Sequence, residues 1–167
     1  MIKGGNLKMT KEELIQLLKD YNENNSKLKL RRKEKRVLEN SLKEKVITET
    51  NIAAILGINM DIQSKNKISD KIGNAVIRAE VQREDIRKKI KEIEKEIEIL
   101  EERIEEADIR LNSLYYKERE IMNAYYCENR TAEEISQNLY FKLFNRTCSP
   151  RYIRNIIKTN TEKLLKL

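Results

Sequence analysis

The 167-residue chain has no histidine and no tryptophan, one proline, four glycines, two cysteines and two phenylalanines. Each shortage narrows the field. Without histidine, the side chain most often used to move protons at neutral pH is missing. No glycine-rich phosphate loop, GxSxG elbow or HExxH motif takes its place. Carboxylates are plentiful, but Glu92, Glu94, Glu96 and Glu98 interleave with isoleucine and lysine, the pattern of a solvated helix face rather than of an acid/base pair. The expectation is a protein that is not an enzyme. Cys127 and Cys148 stand apart with no CxxC spacing, which argues against a zinc site or a disulfide framework, so no metal or other cofactor is expected. No run approaches the roughly 20 apolar residues that cross a bilayer. The opening MIKGGNLKMTKEEL has no apolar signal-peptide core. A cytoplasmic protein without membrane association follows as the expectation.

With so little proline and glycine, 38% charged residues and 39% hydrophobic ones indicate an all-α chain of long helices whose core is a set of seams. Thr10-Lys11-Glu12-Glu13 has the capping-box form, and Leu14, Leu17, Leu18 and Tyr21 follow at helical spacing. This first helix is expected to reach about Val46, with seam positions at Leu28, Leu38 and Leu42, either unbroken or with a break among the polar residues Asn22–Ser26. The basic run from Lys27 to Arg36 is either a second nucleic-acid contact or, as read here, a solvated helix face. Residues 48–68, with Gly57 and several asparagines, read as a linker, partly buried or with a helical turn.

From Ile72 to Leu114 the apolar positions alternate at intervals of four and three, with Arg83 the one interruption. That is a coiled-coil seam, with Ile86, Ile90, Ile93, Ile97, Leu100 and Ile104 as its interface. A helix from Asp70 to Ser113 would be roughly 66 Å long and needs a partner. The spacing leaves two: the chain's own first helix, or a second copy in a homodimer.

Three shorter helices follow. Lys117 to about Cys127 is the first and Asn129-Arg130 ends it. Thr131 caps the second, with Glu134 in the capping-box position. Ser149 and Pro150 open the third as N-cap and first helical residue. Its buried stripe is Ile153, Ile157, Leu164 and Leu167. Its other face shows Arg151, Arg154, Asn155 and Lys158, with Tyr152 beside them. From Tyr140 to Leu167 there are seven Lys/Arg and one acid, whereas Glu84 to Asp108 holds eleven acids and six bases. The polyanion-binding end is therefore the C-terminus. Arginine and lysine reach guanine edges and phosphates, and asparagine pairs with adenine. Residues Ser149, Arg151, Tyr152, Arg154, Asn155 and Lys158 are accordingly the candidate DNA contacts, together with Lys142 and Arg146 just upstream.

These residues resemble a family. The runs Leu114–Met122, Tyr125-Tyr126 and Thr131–Leu139, with the Ser149 helix ending in Glu162-Lys163-Leu164-Leu165, are similar to sigma-factor region 4. The segment Ser69–Val76 leading into the coiled coil is similar to phage-encoded regulators of the ArpU and RinA type. The resemblance, over residues 69 to 167, implies a helix-turn-helix that binds double-stranded promoter DNA and acts with RNA polymerase. In region 4 the leucine matching Leu139 is followed within about three residues by the capping serine; here ten positions separate Leu139 from Ser149. Either the second helix runs on, as Leu143 extends its stripe, or Lys142 and Arg146 in the insertion add phosphate contacts. The aromatic-rich promoter-melting region of sigma factors has no counterpart.

The expected organisation is thus an N-terminal helical segment (1–47), a linker (48–68), a coiled-coil helix (69–113) and a helix-turn-helix (114–167). The expected function is a sequence-specific transcriptional regulator, a phage or prophage activator. The rival is a coiled-coil interaction protein that modulates RNA polymerase or a sigma factor without touching DNA.

Overall fold

The capping box at Thr10 forms as the sequence demands: the Glu13 amide donates to Thr10 Oγ1 at 3.2 Å and the Thr10 amide donates to Glu13 Oε2 at 2.7 Å. It opens the first of six helices in a computed structural model that describes residues 9–58 and 68–167, with side chains described at 9–44 and 77–167. The helices are α1 (Lys11–Lys19), α2 (Tyr21–Ile58), α3 (Ile68–Asn112), α4 (116–127), α5 (132–144) and α6 (Pro150–Leu164). In α4 an α-helical Tyr116–Met122 continues into a π turn at Asn123–Cys127, and α5 carries a π turn at Ile135–Leu139 between two α-helical pieces. Among the described residues there is no strand, and no helix is long and apolar enough to cross a membrane.

Two sequence expectations shift. The first interruption is at Asp20, between α1 and α2, not among Asn22–Ser26. Those polar residues are absorbed into α2, where the Asn25 side chain donates to the Tyr21 carbonyl at 3.0 Å and Ser26 Oγ to the Asn22 carbonyl at 3.0 Å. Residues 48–58, read as linker, continue α2 as helix. The rest of the expected linker, 59–67, lies outside the described residues.

The chain divides into two units, one of Leu28–Ile99 and one joining the stretch up to Lys27 with Leu100–Leu167. In the first, α2 and α3 run antiparallel. Arg31 pairs with Glu96 at 2.6 Å and Lys35 with Glu94 at 2.8 Å, so numbers rise along one helix as they fall along the other. Leu28 and Ile93 are buried in this seam, while Ile86, Ile90 and Ile97 are half-buried. The isoleucine seam of α3 therefore faces α2 of the same chain. Arg31 and Lys35 are half-buried on the side of α2 that meets α3 and carry their charges to its carboxylates. Part of the basic run is thereby committed to internal pairs, Lys27 with Glu23 included. Ile93→Ala is expected to lower stability by about 2 kcal/mol, the low end for a buried isoleucine because a two-helix seam can close over the gap. An unchanged unfolding midpoint would show that Ile93 does not pack on α2.

The second unit is built on one hydrophobic cluster. Ala107 and Leu111 of α3, Ile121, Met122 and Ala124 of α4, Ile135 of α5 and Ile153, Ile157 and Leu164 of α6 are all buried in it. So are Leu14 and Leu18 of α1, each with no exposed surface. The α1 helix packs on the π turn of α4, and α6 packs on α4 and α5. Polar ties join the same elements: Tyr21 donates to Asp108 at 2.7 Å and the Asn22 amide to the Cys127 carbonyl at 2.8 Å. The domain expected at 114–167 thus shares its core with residues far up the chain, and the interface candidates Leu100 and Ile104 belong to this unit.

Candidate nucleic-acid interface

Helix α5 starts where Thr131 and Glu134 close a second capping box, with Glu134 Oε2 accepting from the Thr131 amide at 2.8 Å and Thr131 Oγ1 accepting from the Glu134 amide at 3.2 Å. These bonds hold the Glu134 carboxyl below its ordinary range. The preceding turn is made by Asn129 at φ 54°, and α5 ends at Asn145 at φ 53°. Asparagine tolerates this left-handed region better than other residues with a Cβ. Because α5 runs on to Phe144, the long connection after Leu139 is mostly helix and only residues 145–149 form the turn. Lys142 lies in the last turn of α5 and Arg146 in the connection, both exposed.

Ser149 then caps α6, accepting from the Tyr152 amide at 3.3 Å, and Pro150 occupies the first turn. Its oxygen serves the helix end. The buried stripe of α6 is Ile153, Ile157, Asn160, Thr161 and Leu164; Leu167, expected in it, is 66% exposed beyond the helix end. The opposite side presents Arg151, Tyr152, Arg154, Asn155 and Lys158, all exposed. Tyr152 stands edge-on to Tyr140 with ring centroids 6.0 Å apart, and Tyr140 stacks on Phe144 at 4.4 Å. This cluster fixes the start of α6 against the end of α5.

Arg110, buried on α3, clamps the far end of α6: it donates to the Leu164 carbonyl at 2.5 Å while paired with Glu106 at 2.6 Å. A cation at a helix C-terminus satisfies carbonyls that have no partner within the helix. Thr161 Oγ1 donates to the Ile157 carbonyl at 2.8 Å, which leaves its oxygen to accept from the buried Tyr126 hydroxyl at 3.2 Å. Lys163 pairs with Glu118 at 2.9 Å. The exposed face of α6 is therefore carried on a helix tied at both ends and in the middle.

The charges on this face are not equivalent. Arg154 forms an ion pair with Glu133 at the start of α5, whereas no carboxylate pairs with Lys142, Arg146, Arg151 or Lys158 among the described residues. Beside Arg154 opens a cavity of about 390 Å³ lined by Lys19, Arg130, Thr131, Glu133 and Arg154. Neither Lys19 nor Glu133 stands out in the sequence, because nothing in the spacing shows that α1 reaches α5 and α6. Burial pushes the Cys127 thiol up to about 11, with Glu128 and Asp108 adding to it, and also raises that of Cys148. Neither is a thiolate at neutral pH. No group of three or more cysteines and acids is placed to hold a metal ion among the described residues.

No relative was found. The chain matches no protein-family model, no characterised protein and no solved structure.

Proposed function

We propose that this protein is a sequence-specific DNA-binding transcriptional regulator that presents α6 to the major groove as the second helix of a helix-turn-helix. One observation carries the reading: a helix held by its buried face exposes Arg151, Arg154, Asn155 and Lys158 side by side, with a single acid, Glu162 in the last turn, on that face. Such a row supplies both phosphate contacts and hydrogen bonds to base edges. The five-residue connection between α5 and α6 is compatible with a helix-turn-helix. Promoter DNA and RNA polymerase as partners, and a phage activator as the biological setting, follow from the resemblance to region 4 and to the ArpU and RinA type.

Titration of the full chain with duplex DNA over a series of salt concentrations tests the proposal, followed by selection of bound sites from a random pool. Binding should weaken steeply with salt, with a slope of about −0.9 for each phosphate contacted, and selection should return a consensus. Absence of binding at low salt would favour the rival, a coiled-coil protein that meets the transcription machinery through its α2–α3 hairpin.

A further inference from the structure

The cavity beside Arg154 brings together three cations from separate parts of the chain: Lys19 in the last turn of α1, Arg130 in the turn before α5, and Arg154 on α6. Cations outnumber carboxylates three to one in its lining, the single acid being Glu133. Lys19 has no carboxylate partner among the described residues. Arg130 holds Glu128 at 2.7 Å, with both side chains nearly half exposed, and Arg154 holds Glu133 with both exposed. Exposed pairs of this kind contribute little to stability, so a phosphate can readily take the place of either carboxylate.

We propose that this cavity is a clamp for the DNA backbone, in which Lys19 and Arg130 hold phosphates next to those met by α6. The proposal rests on the reading of α6 as a DNA-contacting helix. Duplex DNA is favoured because Arg154 belongs both to the α6 face and to the cavity, which makes the two surfaces continuous. The exposure of Lys19, Arg130, Thr131, Glu133 and Arg154 also suits a strand laid across the surface rather than an enclosed small anion. A consequence is that α1, remote in sequence from the C-terminal helices, completes both their core and their nucleic-acid surface.

The test uses the full chain and a mixed-sequence duplex, with log affinity measured against log salt. Lys19→Ala with Arg130→Ala should flatten the slope by about 1.8, so that the affinity lost between 50 and 200 mM salt shrinks about 12-fold relative to wild type. Sequence preference should stay the same, because phosphate contacts position the protein without reading bases. Lys19→Arg should keep the wild-type slope. Lys11→Ala, a charge removed two turns back on α1 and outside the cavity, should also leave it intact, and thermal melts of all variants should coincide. Wild-type binding with an unchanged slope in the double variant, or equal flattening by Lys11→Ala, would overturn the clamp while leaving the α6 reading standing. Failure of the wild-type chain to bind any duplex would instead remove the α6 reading, and the clamp with it.

Discussion

Replacing Leu14 and Leu18 by alanine is expected to unfold the unit that carries the C-terminal helices, although both leucines lie about a hundred residues upstream of them. Each is completely buried, and truncating a leucine in such a site costs about 2–5 kcal/mol through lost transfer energy and the cavity left behind. The pair approaches the roughly 5–15 kcal/mol that is the whole stability of an ordinary domain. The loss should appear as a large fall in the urea midpoint, accompanied by loss of DNA binding at the same protein concentration. Leu14 and Leu18 are buried in the cluster that holds α6 and have no surface to offer DNA, so the two losses have one cause: α6 is held in place by a core that α1 helps to close. A double variant with the wild-type midpoint would show that α1 is not part of that core.

The second large effect is on binding alone. Arg151→Ala with Lys158→Ala removes two exposed cations from α6 and leaves no carboxylate unpaired, so the melting curve should not move. Affinity for a selected site should fall on the order of a hundredfold, since a bidentate base contact contributes about 1–3 kcal/mol and a lost phosphate contact also flattens the salt slope by about 0.9. Fluorescence anisotropy at two salt concentrations separates the two contributions. Arg154 is a poorer choice, because it belongs to both the α6 face and the cavity beside it, so its removal would not separate the two. Undiminished affinity in the Arg151/Lys158 variant would move the interface off α6.

Local signals proved readable wherever the physics is local. The boxes at Thr10 and Thr131 and the Ser149-Pro150 start need only residues three apart, and all three form as their spacing dictates. The four-three alternation of α3 was equally plain, since one helix carries the whole stripe. Breakers are a weaker guide, because each shifts the helix–coil balance only slightly. Gly57 and its asparagine neighbours read as a linker, yet α2 continues to Ile58; a glycine lowers helix propensity by only about 1 kcal/mol, too little to end a helix by itself. The extension of α5 through Phe144 was one of two alternatives, and the stacked Tyr140 and Phe144 account for it.

Composition and periodicity alone thus settle that the chain is helical, where most helices begin, and that positive charge gathers at its C-terminal end. They depend on neighbours along the chain. They do not settle what the isoleucine seam faces, that Leu14 and Leu18 share a core with Ile121 and Ile153, that Arg110 holds the end of α6, or that Lys19 stands beside Arg130 and Arg154. Those are pairings between residues tens to more than a hundred positions apart. An apolar stripe states that it must be buried but not against what, and an exposed lysine carries no mark of the charges that folding will bring to its side.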